Sequence, residues 1–392
     1  MIKELTMKKT SLTSNWVYGT LEDIVNKGSS NISLNKVKED DGEYQLFSAK
    51  GYNKNISFFH QEKEYLAIIK DGAGIGRVSK HPAKSSVVAT MQYLIPKEGF
   101  DIEFVQYFLN GIDFESHRQG STIPHIYFKD YKSEPFPLLS LAQQKQIVAT
   151  LDKAFATIDT AKSNAEQNLQ NAKELFESYL QNIFENKGDD WENKPLSEVC
   201  DLIKRGSQPK YTESEAGEIV LNQKCIRDHK INLSVARKHN TNKKTINKER
   251  YIQLGDGLIN STGTGTLGRV AQVRELNFSA FVDTQITIVR PKKELFYLDF
   301  FGWALIYIEK IVQKSGEGAS GQTELSRKVV EKFIISFPNE MKQQQQTAEK
   351  LDNLSLEIKK LEAIYTQKIA DLEEMKKAIL EKAFSGQLSN IN

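Results

Sequence analysis

Apolar side chains recur along two stretches of this chain in alternating steps of four and three residues. The first series is Ile147, Leu151, Ala154, Ile158, Ala161, Ala165, Asn168, Ala172, Leu175 and Tyr179. Two hundred positions later it becomes Thr347, Leu351, Leu354, Ile358, Leu361, Tyr365, Lys368, Leu372, Met375 and Ile379. A 3.5-residue repeat makes a seam that is buried only against another helix, so each stretch predicts a long helix lying along a second one. Asn168 and Lys368 interrupt the seam at the same place, where a polar residue sets register or partner. Ser140 to Gln143 reads as a capping box, Asn339 as the cap of the second helix after Pro338, and Gly188 as the stop of the first. About 42 residues rising roughly 1.5 Å each make a rod on the order of 60 Å.

Outside these stretches the period shortens. Strand-like runs fall at Tyr65 to Ile69, Ser86 to Ile95, Gly257 to Asn260 and Phe281 to Val289, and helical ones at 102–110 and 297–314. They predict two mixed α/β heads: residues 1–140 and 188–339, followed by the helical segments 141–187 and 340–392. The heads share marks as the helices do. Trp16 and Leu21 answer Trp191 and Leu196, Gly76-Arg77-Val78 answers Gly268-Arg269-Val270, and Phe136-Pro137 answers Phe337-Pro338. A duplication of this size governs the architecture. Only Lys187 to Asp190 separates the first helix from Trp191, which puts the second head at the far end of that rod. The second helix then runs back, giving an antiparallel pair with a head at each end and a pseudo-two-fold axis. Leu169, Phe176, Leu180 and Ile183, with Leu372 and Ile379, widen the apolar stripe. They pack either on the chain's own heads or on helices of another protein.

With 392 residues, 39% of them hydrophobic, the chain is long enough for two or three domains with real cores. It has no run of about 18 apolar residues, no signal-peptide core after Met1, and only Cys200 and Cys225. The expectation is a cytoplasmic protein that does not enter membranes. The net charge of +2 hides an uneven distribution. Between Lys224 and Arg250 nine basic residues face two acidic ones, a net of +7. A run so long and nearly single-signed points to nucleic acid.

Two pairs of loops hold the remaining chemistry. Asp71-Gly-Ala-Gly-Ile-Gly-Arg77 answers Gly263-Thr-Gly-Thr-Leu-Gly-Arg269. The second satisfies G-x-G-x-x-G, but a dinucleotide fingerprint needs a helix after the glycines and both loops run into strand-like segments. A tight hairpin, or a phosphate contact through backbone N–H groups with Arg77 and Arg269 supplying charge, fits better. Gly120-Ser121-Thr-Ile-Pro-His125 lies opposite Gly318 to Glu324, which includes Gln322; hydroxyl, amide and imidazole groups there suit phosphates or base edges. There is no phosphate-binding G-x-x-x-x-G-K-[ST], no H-E-x-x-H, and no histidine paired with a nucleophile. The chain reads as a recogniser rather than a catalyst.

Taken in order, these marks resemble the specificity subunit of a type I restriction–modification system. They are Leu21-Glu-Asp-Ile24 after Trp16, Leu196-Ser-Glu-Val199 after Trp191, and the loops ending Gly-Arg-Val. They continue with Phe-Pro leading into the glutamine-rich helix starts, Leu-Asp at 151–152 and 351–352, and Ala383-Phe-Ser-Gly-Gln-Leu388. The resemblance spans the whole chain. It departs at Gln143-Gln144 and Gln343-Gln344, where the family often has Glu-Gln. The first glycine loop is also one residue shorter than the second.

The resemblance implies a non-catalytic subunit with two target-recognition domains, each reading one half of a split double-stranded DNA site. The helices set an unspecified spacer and dock two methyltransferase subunits, which methylate adenine N6, and two restriction subunits. S-adenosylmethionine, ATP and Mg belong to those partners and no cofactor to this chain. Expected base contacts lie early in each head, at Lys50, Tyr52, Asn53 and Lys54 and at Gln223, Lys224 and Arg227. Arg77, Ser121, His125, Lys243, Lys244, Arg269, Gln322 and Arg327 complete the expected DNA-binding set. The rival readings are a coiled-coil scaffold that binds only proteins, and an enzyme using the glycine loops for a nucleotide.

Overall fold

The computed structural model describes residues 16–316 and 324–387, which divide into two compact units. One comprises Met1–Gln167 with Tyr365–Asn392, the other Asn168–Ile364. Each combines one head with parts of both long helices.

In the first unit, Tyr65–Ile69 is buried at every position, which explains its unbroken apolar run. It lies inside a four-stranded sheet of order Val25–Ser29, Met91–Pro96, Tyr65–Ile69, Val78–His81. A second sheet has the order Gly51–Ile56, Tyr44–Ser48, Ser86–Val87, its last pair parallel. Asp101 caps the helix Ile102–Asn110 through Phe104 N, and Phe104, Val105, Phe108 and Leu109 turn into the core beside Leu21, Phe136 and Tyr131. The second unit repeats the plan. Its four-stranded sheet runs Cys200–Arg205, Ile286–Pro291, Gly257–Asn260, Val270–Gln272, covered by the helix Leu298–Lys314. Its second sheet runs Tyr211–Thr212, Arg237–His239, Glu218–Leu221, Ala280–Val282. The apolar run expected from Phe281 to Val289 is thus two strands in two sheets, split at Asp283; the run from Ser86 is divided in the same way.

Each head closes on itself before its long helix begins. Tyr18–Thr20 pairs with Pro135–Pro137, and Trp191–Pro195 with Ile334–Pro338. The helices then run Leu141–Glu185 and Met341–Phe384. The capping box at the first is present: Ser140 N donates to Gln143 Oε1 at 3.1 Å and Gln143 N to Ser140 Oγ at 3.4 Å. At the second, Glu340 rather than Asn339 precedes the helix, and its carbonyl receives Gln343 N and Gln344 N. A carboxylate there also suits the positive helix end. The first helix ends at Glu185, so Gly188 shapes the turn into Trp191 rather than the stop itself.

Within the first unit, Leu151 on one long helix meets Leu380 and Ala383 on the other, with Phe155 and Ile379 alongside. Ion pairs Lys162–Glu373 and Lys376–Asp159 flank this antiparallel contact. Within the second unit, Leu180 and Phe184 share a core with Ala348 and Leu351. The seam departs from strict heptads. Gln144, Leu151, Ile158, Ala165 and Ala172 are buried seven apart, but Asn168 and Lys368 are exposed, as are Leu175, Leu361 and Met375. Phe176 and Leu180 take the inward places instead. An α-helix drifts about 20° per heptad against a 3.5 repeat, so an apolar face continued over six turns moves to the next residue. Asn168 and Lys368 are therefore not register devices.

The wider stripe is occupied by the chain itself. Phe176 lies 5.5 Å from Trp303, Leu180 is buried, and Ile183 packs on the same core. Ile379 packs beside Leu380 in the first unit. These four are not a free docking face; Leu169 and Leu372 stay half-exposed.

Candidate nucleic-acid interface

In the first head, three loops meet. The strands Tyr44–Ser48 and Gly51–Ile56 are joined by Ala49-Lys50, with Ser48 opposite Gly51 and Gly51 at φ +99° closing the turn. The glycine loop joins Ile68 to its antiparallel partner Val78. Arg77 Nη2 donates to Ala49 O at 3.1 Å, which ties that loop to the hairpin tip. Gly72 N donates to Pro124 O at 2.9 Å, and the His125 ring Nδ1 lies 2.7 Å from Asp71 Oδ1, which brings in the third loop. Burial works against ionisation of Asp71, but bonds from His125 and Lys70 outweigh it and hold the carboxyl below its ordinary range.

Lys50, Tyr52 and Asn53 are exposed at and beside the hairpin tip, and Ser121 and Arg77 are exposed in the other two loops. His125 is half-buried and fixed by Asp71. Lys54 is different: its Nζ donates to Val37 O and Lys38 O, both at 3.0 Å, so it holds a neighbouring loop rather than reaching outward.

In the second head, Glu218–Leu221 pairs antiparallel with Arg237–His239 and parallel with Ala280–Val282. Tyr44–Ser48 makes the same two kinds of pairing with Gly51–Ile56 and Ser86–Val87. Residues 222–236 therefore stand where the first head has only Ala49-Lys50. They build a 3-10 turn, Gln223–Cys225, and a hairpin, Ile226–Arg227 with Lys230–Ile231. The hairpin tip is Asp228-His229, at φ 52° and 58°. A two-residue turn with both residues left-handed matches strand twist, and aspartate and histidine tolerate that region better than most side chains. This insertion also meets its glycine loop. Thr266 Oγ1 donates to Gln223 Oε1 at 2.9 Å, and Asn260 Nδ2 to Gln223 O at 3.0 Å. Beneath the loop, Asn260 Oδ1 and Thr262 Oγ1 are buried without a partner.

Arg227, Asp228, His229, Arg269, Glu309 and Gln313 line a polar cleft beside the hairpin. His229 Nε2 lies 3.4 Å from Glu309 Oε2, and Arg269 Nη2 donates to Gly265 O at 2.8 Å. Lys224, Arg227 and Lys243 are exposed. Lys244 bonds Gln208 O at 2.7 Å, and Arg327 is exposed beside Glu331. Gln322 lies outside the described residues. The basic run is thus partly structural: Arg237 stacks 3.4 Å from the Tyr211 ring centroid, and Arg250 bonds the carbonyls of Arg205 and Gly206.

Sequence reasoning missed Asp71 as the partner of His125, and missed the inserted hairpin. The second had a signal, Asp-His between the short alternating pairs Ile-Arg and Lys-Ile. Asp71 had none, since its partner is 54 residues away.

Each glycine loop is a hairpin connection, with Ile259 opposite Val270 in the second head. No helix follows the glycines to receive a pyrophosphate, so the dinucleotide reading fails. Among the described residues no group of three or more His, Cys, Asp and Glu could hold a metal ion. Burial pushes the Cys200 thiol up to about 12, so it is no nucleophile. No helix among the described residues is long and apolar enough to cross a membrane. The geometry offers two matched polar surfaces, each a tip loop beside a glycine hairpin.

Comparison with known proteins agrees with this duplication. The sequence model of the type I restriction modification DNA specificity domain matches residues 13–171 and again 188–371. A chain from a solved structure describing complex assembly and conformational transition of the type I R-M system superposes with a TM-score of 0.75 at 16% identity; the match covers 96% of this chain and 99% of that one. The HsdS subunit from Thermoanaerobacter tengcongensis gives 0.55 at 16% identity, covering 97% and 100%. No curated protein sequence matches the chain.

Proposed function

The chain belongs to the type I restriction modification DNA specificity family, and we propose that it reads an asymmetric two-part DNA site, one half with each head. The observation that carries this is the equivalence of the two loop clusters. In each head, the connection leaving the same strand of the second sheet is pinned to a glycine hairpin, with cationic groups left exposed beside it. Lys50, Tyr52 and Asn53 serve one half-site; Gln223, Lys224 and Arg227 serve the other. Arginine and lysine suit guanine O6 and N7, and asparagine and glutamine suit adenine. Arg77, Ser121, His125, Lys243, Arg269 and Arg327 line the phosphate path, and Lys54 and Lys244 hold the loops in shape.

The long helices space the heads, so the bases between half-sites go unread. Two modification subunits, carrying S-adenosylmethionine, dock along them and flip one adenine in each half-site; restriction subunits using ATP and Mg complete the assembly. Apolar side chains left exposed on the helices, Leu175, Leu361, Ile364 and Met375, are the contacts for those partners.

Lys224→Ala and Arg227→Ala, each assembled with the modification subunit, test the reading on DNA libraries. Base contacts predict that one half-site relaxes at a single position, by about 1–3 kcal/mol, while the other half stays strict. Uniform weakening with a salt slope smaller by about 1 would make them phosphate contacts. Absence of salt-sensitive DNA binding by the wild type would favour the protein-only scaffold.

A further inference from the structure

From one duplicated pair of hydrogen-bonding devices, we infer that Gln144 with Asp152, and Gln344 with Asp352, are positioning residues that set the register at which each head meets DNA. The inference rests on the two-part reading above and concerns how its spacing is enforced.

Gln144 and Gln344 are both completely buried. Gln144 Oε1 accepts from Asp101 N at 2.7 Å, while Nε2 donates to Gly99 O at 3.1 Å and Leu139 O at 2.9 Å. Gln344 Oε1 accepts from Tyr297 N at 2.9 Å, and Nε2 donates to Leu295 O and Pro338 O, both at 2.9 Å. In each unit the amide thus joins three pieces of backbone: the loop that launches the head's helix, the residues leaving the closing strand, and the first turns of the long helix. Glutamine alone among side chains of this reach offers one acceptor and two donors in a plane. Glutamate would turn an oxygen on two carbonyls, and methionine would leave three buried backbone groups without partners.

Eight residues further, about 12 Å along the helix and about 80° around it, lies the second attachment. Asp152 Oδ1 accepts from Tyr107 OH at 2.5 Å. Asp352 Oδ1 accepts from Trp303 Nε1 at 3.0 Å and also pairs with Arg274, whose guanidinium lies 4.9 Å from the Trp303 ring centroid. Apolar packing tolerates sliding and rolling of one surface over another; directional bonds at two heights and two azimuths do not. One base pair displaces a half-site by about 3.4 Å and turns it by about 35°. A head held this way rejects that displacement, and a loosened one accepts it.

The test uses the full chain in complex with its modification subunit. Adenine methylation is measured on DNA whose half-sites stand at the natural spacer and at one base pair more or less. Wild type is expected to methylate at one spacer. Gln344→Met is expected to extend methylation to the neighbouring spacers and to lower the correct-to-incorrect ratio by at least roughly tenfold, because it removes all three directional bonds of Gln344. Because that variant can unfold its head, two milder variants accompany it: Tyr107→Phe removes only the hydroxyl donor, and Trp303→Phe removes the indole N–H and shortens the ring while keeping it aromatic; both should shift the ratio less, in the same direction. A merely structural role lowers methylation at every spacer in proportion. An unchanged ratio in all three variants, against a sharp wild-type spacer, overturns the inference alone. A wild type with no two-part site overturns the reading beneath it as well.

Discussion

Asp256 is completely buried in the second head, and Arg290 meets it with two nitrogens at 2.7 and 2.8 Å. Removing one partner leaves the other charge buried and unpaired. Arg290→Met should therefore destabilise the protein by about 3–5 kcal/mol in urea denaturation, and adding Asp256→Asn should recover much of it. Asp283 is buried, its Oδ1 accepts from Gln285 N at 2.9 Å, and burial pushes its carboxyl up to about 6. It stays neutral in the fold at pH values where the unfolded chain has already ionised. Stability is thus lost as pH rises from about 4 to about 6, by up to about 3 kcal/mol. Asp283→Asn should flatten that part of the stability profile; a profile unchanged by the substitution would contradict the assignment. At this scale the sequence was only half legible. Lys224, Lys243, Lys244 and Arg250 read alike as members of one basic run. Only the fold distinguishes Lys224 and Lys243, which face outward, from Lys244 and Arg250, which hold backbone carbonyls.

Elements were clearer than residues where a single period decided them. Tyr65–Ile69, Gly257–Asn260 and Ile102–Asn110 coincide with the runs that announced them, because each is short and flanked by turn residues. The long helices were legible in extent but not in face. A 3.5-residue seam assigns Leu175 inward and leaves Leu180 outside the series. In the structure Leu175 is 58% exposed and Leu180 only 7%. Leu180→Ala should accordingly cost about 2–5 kcal/mol in urea denaturation. Leu175→Ala should change stability by less than about 0.5 kcal/mol. The reverse order would restore the strict heptad. The flanking pairs Lys162–Glu373 and Lys376–Asp159 are partly exposed, so each contributes little and fades with salt.

For the molecule as a whole, the duplication was visible from the constant offset of 200, and it reaches down to matched buried amides at Gln144 and Gln344. What the repeat concealed is where the halves differ. The turn Ala49-Lys50 and the insertion 222–236 occupy one topological place, yet share neither length nor composition. Such divergence at the tip, on a shared scaffold, fits the proposal that the two heads read unlike half-sites. On the proposed function, both heads read DNA for an attached methyltransferase. This is tested most directly by co-expressing this chain with its modification subunit in a methylation-free host and mapping N6-methyladenine across the genome. The account predicts one two-part motif, with a fixed spacer of unspecified bases and one methylated adenine in each half. A stable complex that methylates nothing, or a motif with a single uninterrupted half, would contradict it.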